Sequence, residues 1–243
     1  MSIREVAGTT AIVTGASRGF GRAISISLVE RGAHVVGVAR NQERLVELKD
    51  ELGEAFTPEV ADVADPELSV RLISQYRPRT LILNAGATPA VARLQDQTWE
   101  NFSTNWNVDV HQVFNFVRQA LAAPLDPGSV VISLSSGAAL RGSPLSGGYA
   151  GAKATIKFIS SYASGEAQRN GSDVRFVAVL PQLTAATDLG RLYTEAYGGT
   201  SVAPSGPSLS LDQAAASIVG LAIDDDLVVP AYLLTSAGLQ PLE

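Results

Sequence analysis

With 243 residues, 46% of them apolar, the chain has the size and the interior-forming material of one ordinary α/β domain. A net charge of −6 with only three lysines leaves no concentrated basic patch for nucleic-acid phosphates, which points instead to a small-molecule partner. The absence of cysteine excludes disulfides and thiolate metal sites, and the two histidines, His34 in a strand-like run and His111 on a helical one, are too few and too separate to hold a metal. No charged-then-apolar leader opens the chain and no apolar run approaches ~18 residues, so the expectation is a cytoplasmic protein that does not span a membrane.

Thr10 to Thr14 (TAIVT) reads as a short apolar strand, followed directly by Gly15-Ala16-Ser17-Arg18-Gly19-Phe20-Gly21 and a helical stretch to about Arg31. Strand, glycine loop and helix form the context a dinucleotide site requires. The glycines let the backbone turn tightly against a pyrophosphate, and the helix start offers unpaired N–H groups and a partial positive charge. The same pattern also serves as a plain strand-to-helix turn.

Ala33 to Ala39 (AHVVGVA) reads as a second strand. Where an NAD site commonly ends this strand in an acid for the ribose hydroxyls, this chain has Ala39 and then Arg40. Arg40 and Arg18 together suit the 2′-phosphate of NADP, so NADP(H) is favoured over NAD(H). Asn41 to Gly53 is an amphipathic helix with an asparagine start and a glycine stop. Pro58 to Val63 (PEVADV) resembles a third strand ending in Asp62 and Val63, and Thr80 to Leu83 is a strand running into Asn84-Ala85-Gly86; both endings also read as turn signals.

Val130 to Leu134 has the β-branched content of a buried strand and stops at Ser135-Ser136. Tyr149 and Lys153 stand four apart at the start of a helical stretch, so they share a face. A free phenol ionises near pH ~10, and a fixed ammonium beside it favours the phenolate. The expectation is that Lys153 lowers the Tyr149 pKa toward neutrality, equipping it for general acid–base catalysis while Ser136 holds the same substrate oxygen.

Val174 to Leu180 is a further strand, ending at Pro181-Gln182. The segment of about 183–207 mixes Leu189, Leu192, Tyr193 and Tyr197 with glycines and prolines, without clean periodicity. It reads as an irregular substrate lid whose aromatics suit an apolar substrate. Leu211 to Leu221 is a last helix and Leu227 to Leu234 a last strand, in which Pro230 implies an edge position or a bulge.

The spacing Gly-x3-Gly-x-Gly in TGASRGFG resembles the cofactor loop of the short-chain dehydrogenase/reductase family in its compact form. Ser136, Tyr149 and Lys153 are similar in kind and spacing to that family's catalytic serine and Tyr-x3-Lys, and the resemblance runs from about residue 8 to 181. It implies a Rossmann-like, doubly wound parallel sheet with helices on both faces, one catalytic domain over residues 1–243. It also implies a cofactor site of Gly15, Ser17, Arg18, Gly19, Phe20, Gly21, Arg40, Asp62, Val63, Asn84, Ala85, Gly86, Tyr149, Lys153, Pro181 and Thr184, with Asp62-Val63 against the adenine.

In the same frame Phe102, Trp106 and Phe114 put Asp109 where the family carries a catalytic asparagine. Asn107 has the amide but lies two positions early, about 200° around an α-helix, so the two cannot both face the site. Spacing favours Asp109, which puts a carboxylate, able to accept from water or from Lys153 but not to donate when ionised, in the amide's place. Pro181-Gln182 replaces the usual Pro-Gly, and Thr184 and Thr187 flank the position of a nicotinamide-contacting threonine.

Ala150 to Ala163 is apolar on most sides, and the resemblance implies that this helix packs on a second copy. A homodimer or homotetramer follows, the tetramer less secure because the chain closes on Ser-Ala-Gly-Leu-Gln-Pro-Leu-Glu rather than Asp-Gly-Gly. The activity implied is NADP(H)-dependent interconversion of a ketone or aldehyde and an alcohol by hydride transfer, with Tyr149 as general acid/base. The alternatives are a non-catalytic NAD(P)-binding sensor or structural protein, and C=C reduction, epimerisation or dehydration on the same scaffold.

Overall fold

The computed structural model describes residues 5–123, 125–182, 184, 187–197, 209–224 and 229–242. Among them eight strands form one sheet: β1 (Thr10–Thr14), β2 (His34–Ala39), β3 (Phe56–Val60), β4 (Thr80–Leu83), β5 (Val130–Leu134), β6 (Arg175–Pro181), β7 (Ala231–Thr235) and β8 (Gly238–Pro241). Their order is β3-β2-β1-β4-β5-β6-β7-β8, parallel throughout except where β8 runs antiparallel to β7.

The strands bury side chains on both faces, as their near-continuous apolar sequences require. Ala11, Val13, Val35, Ile132 and Val179 point to the side covered by α1 (Gly19–Glu30), α2 (Gln42–Leu52) and α9 (Leu211–Ile223). Ile12, Val36, Leu81, Val131 and Phe176 point the other way, to α3 (Leu68–Tyr76), α5 (His111–Ala122) and α7 (Gly147–Arg169); two short helices, α4 (Trp99–Phe102) and α6 (Ala138–Arg141), precede α5 and α7 in the chain. The period of two along each strand therefore sorts the core into two layers, and the fold is a Rossmann-like α/β sandwich.

Helix ends follow local chemistry. Asn41 starts α2 by accepting the Arg44 N–H at 2.9 Å, and Gly53 ends it with φ 63°. His34 is structural, sharing a 2.9 Å hydrogen bond with Thr57.

Because β2 and β3 lie on one side of β1 while β4 and its successors lie on the other, the loops after β1 and β4 diverge at the C-terminal edge. A crevice at such a reversal is where ligands enter this architecture.

Three expectations are corrected. The third strand begins at Phe56 and ends at Val60, because pairing with Val35 to Ala39 of β2 sets its length; Asp62 and Val63 lie in the turn beyond. Pro58 is tolerated there because β3 is an edge strand.

Pro230 is neither inside a strand nor at a bulge: it precedes β7, and its carbonyl accepts the Ala178 N–H at 2.8 Å. β7 is not an edge either, since the chain turns after Thr235 and lays β8 alongside it. Residues 227 and 228 of the expected strand lie outside the described residues.

The expected irregular lid contains a helix, α8 (Asp188–Tyr197), whose first turn is capped by Thr187 Oγ1 accepting the Gly190 N–H at 2.9 Å. Leu189, Leu192 and Tyr193 carry helical spacing too short to stand out between glycines and prolines. The remainder of 183–207, apart from 184 and 187, lies outside the described residues.

Candidate active site

Thr14 ends β1 and Asn84 follows β4, and together they knit the sheet beneath the crevice. The Thr14 hydroxyl accepts the N–H groups of Asn84 (2.9 Å) and Ala85 (3.1 Å), and Asn84 Nδ2 donates to Thr14 O at 2.9 Å. Gly15 turns with φ +70°, and a Cβ there would fall 2.7 Å from Asn84 Nδ2; one on Gly21 would fall 2.1 Å from Gly15 O. Only glycine lets β1 pass into α1 this closely. Helix α1 begins with no side-chain cap and no acid in its first turn, so its N–H groups remain for an anionic ligand.

The cleft above has a volume of about 610 Å³. From the glycine loop it is lined by Gly15, Ser17, Arg18, Gly19 and Phe20, while Gly21 is buried below. Arg40, Asp62 and Val63 form one end, and Asn84, Ala85, Gly86 and Asp109 the floor. Ser136, Tyr149, Lys153, Pro181 and Thr184 close the other end.

At the first end Arg40 Nη1 lies 4.0 Å from Asp62 and Arg18 Nη1 lies 2.5 Å from Asp188 at the start of α8. Asp62 also accepts the Ala64 N–H at 3.0 Å, closing its own turn. Arg44 and Arg191 line the cleft as well. Neither was singled out from sequence. Arg44 lies in the first turn of α2, just after the loop that carries Arg40, and Arg191 lies on α8. Thr184 and Thr187 both face the cleft, with hydroxyls bonded to Leu209 O (2.5 Å) and Thr184 O (3.2 Å).

At the other end, Ser135 Oγ donates to Lys153 O at 2.7 Å, fastening the end of β5 to α7. Lys153 Nζ donates to Leu134 O at 3.1 Å and lies 5.5 Å from the centre of the Tyr149 ring. Tyr149 is buried. Against it packs Tyr193 of α8, ring centres 6.1 Å apart, whose hydroxyl shares a 2.5 Å hydrogen bond with Ser146. Val91, Ala138, Leu145 and Leu189 complete an apolar wall over the phenol.

The turn Trp106–Val110 before α5 is π-helical, with the His111 N–H reaching back to Trp106 O. It carries Asp109 inward, 3.0 Å from Lys153 Nζ, and leaves Asn107 exposed, its amide reaching Ser103 Oγ at 3.4 Å. The expected electrostatics of Tyr149 are corrected accordingly. Burial raises its pKa above the ordinary phenol value, hydrogen bonding from Ser136 lowers it, and the charge of Asp109 raises it again. The ammonium of Lys153 faces a carboxylate, which offsets the field expected to favour the phenolate.

The chain is similar to known proteins over most of its length. A family model described as short chain dehydrogenase matches residues 9–198. An NADPH-dependent pterin aldehyde reductase of Arabidopsis thaliana is 27% identical over 230 residues, 91% of this chain and 92% of that protein. An L-xylulose reductase of Mesocricetus auratus is 35% identical over 129 residues, 52% of each chain. A 3-oxoacyl-[acyl-carrier-protein] reductase of Rickettsia felis is 29% identical over 180 residues, 72% of this chain and 73% of that one.

Proposed function

The chain belongs to the short-chain dehydrogenase family and is an NAD(P)-dependent oxidoreductase, and from that premise we propose that it reduces an apolar ketone or aldehyde with NADPH, Tyr149 donating the proton. The observation that carries this reading is the pairing, in one cleft, of a cationic end at Arg18 and Arg40 with an apolar, hydroxyl-bearing end at Ser136 and Tyr149.

The cofactor would lie along the glycine loop, its phosphates at the uncapped start of α1 and its 2′-phosphate between Arg18 and Arg40. When bound it supplies a hydride for the carbonyl carbon. Ser136 orients and polarises the carbonyl oxygen, and Tyr149 gives its phenolic proton to that oxygen as the C–O double bond becomes an alcohol. Lys153, held at Leu134 O, keeps the tyrosine-bearing face of α7 in place and would hold the ribose of the nicotinamide. The wall of Val91, Leu145, Leu189 and Tyr193 favours an apolar substituent on the substrate, and the similarity to a reductase named NADPH-dependent supports the cofactor choice.

The test is a fluorescence titration with NADPH and NADH followed by a panel of apolar ketones and aldehydes. Tighter NADPH binding and NADPH oxidation with at least one carbonyl are expected. Binding of neither nucleotide would overturn the proposal, and binding without turnover across the panel would favour a sensor.

The protein is further proposed to be a cytoplasmic homodimer or homotetramer. A chain without cysteine suits a reducing compartment, and none of the described helices is long and apolar enough to cross a membrane. Phe114, Phe158 and Tyr162 are exposed on α5 and α7, an apolar surface that a second copy would cover.

A further inference from the structure

Asp109 gives this site an unusual charge balance. Its side chain is 1% exposed and that of Lys153 7%, so water does little to weaken the 3.0 Å contact between them. The carboxylate is held from several directions: Oδ1 accepts the Ala87 N–H at 2.8 Å, and Asn105 Nδ2 lies 3.3 and 3.4 Å from the two oxygens while donating to Ala87 O at 2.8 Å. The loop after β4 makes room for it, since a Cβ on Gly86 would fall 2.8 Å from Oδ2. An ammonium touching a carboxylate presents a dipole instead of a net charge, so at the Tyr149 ring, 5.5 Å from Lys153 Nζ, the two charges oppose one another.

We propose that Asp109 compensates the charge of Lys153 and so keeps Tyr149 protonated, leaving carbonyl reduction fast through neutral pH and holding back alcohol oxidation until alkaline pH. This rests on the reading of Tyr149 as the proton-transferring group. Reduction uses the protonated phenol and is lost as pH rises through its pKa; oxidation needs the phenolate and is gained there. The groups that bear on Tyr149 are Asp109 on the π-turn, Lys153 on α7, Ser136 after β5 and Tyr193 on α8. The other charged groups lining the cleft, Arg18, Arg40, Arg44, Asp62, Asp188 and Arg191, are exposed to screening water. The raised pKa of Tyr149, with burial as the leading cause and Asp109 contributing, runs in the same direction.

The experiment is a spectrophotometric titration of phenolate absorbance, taken as the difference between each protein and its Tyr149→Phe counterpart. That subtraction isolates one of six tyrosines. The wild-type midpoint should lie above about 10, the ordinary phenol value. In Asp109→Asn it should fall by at least one pH unit, with the alkaline limb of alcohol oxidation moving down alongside it. A wild-type midpoint below about 9, or one unmoved in Asp109→Asn, overturns the proposal. Should Asp109→Asn not fold by circular dichroism, Asp109→Ser takes its place under the same criteria. The titration needs no turnover, so a protein that reduces no carbonyl would sink the reductase reading without obscuring what Asp109 does to the phenol.

Discussion

Tyr149 is buried against Tyr193 with its oxygen toward the Ser136 side chain, and in the proposed reaction proton transfer runs through that single atom. Replacing it with phenylalanine removes the acid while keeping the ring. Turnover of Tyr149→Phe is expected to fall by roughly 10²–10⁴-fold, with NADPH affinity by fluorescence titration changed less than about twofold. A variant with near-normal rate would mean that another group donates the proton.

Arg40 works at the opposite end of the cleft, where it is highly exposed and only 4.0 Å from one carboxylate. Solvent discounts any charge interaction there, so Arg40→Ala should weaken NADPH by roughly three- to tenfold and leave NADH unchanged. Equal losses for both nucleotides would remove the 2′-phosphate from its role.

Between elements, the end of β1 is laced to the end of β4 through one hydroxyl. Thr14 is fully buried and serves two N–H groups, Asn84 and Ala85. Thr14→Val keeps the shape but leaves those donors without it. Denaturant unfolding should show a loss of about 1–3 kcal/mol, and the cleft between the two strands should bind nucleotide less tightly. The π-turn is the other element-scale feature: the bond from His111 back to Trp106 adds a residue to the turn that carries Asp109. Residue types and α-helical spacing contain no mark of that extra residue. The helical spacing inside α8 was present in sequence but too brief to be distinguished from a loop.

For the molecule as a whole, two apolar layers clamp the sheet, yet the outer faces of α5 and α7 still expose aromatic rings. Phe158 and Tyr162 stack with centroids 6.2 Å apart at 53% and 66% exposure. Large apolar residues left in water on adjacent helices are expected to be covered by association. Sedimentation of the wild type should give a dimer or larger, and Phe158→Lys with Tyr162→Lys should shift it toward monomer. A monomeric wild type would assign the rings to some other contact.

Short apolar strands, the glycine loop, and the serine, tyrosine and lysine at their spacings were legible in the chain, because each expresses a local rule: β-branched runs that suit a buried strand, steric room at a turn, or two side chains on one helix face. Parallel crossovers restrict the order of the sheet without fixing it, and the sequence β3-β2-β1-β4-β5-β6-β7-β8 is a tertiary finding. What needed tertiary structure was every property set by partners distant in sequence. Asp109 meets Lys153 across two elements, Arg18 meets Asp188 across most of the chain, and Tyr193 covers Tyr149 from a helix that sequence had left irregular. The protonation of Tyr149 belongs to this second group. A pKa depends on burial and on the summed charge around the group: the family frame put Asp109 within reach of Lys153, but the depth at which folding buries the phenol and the ion pair beside it belongs to the tertiary structure.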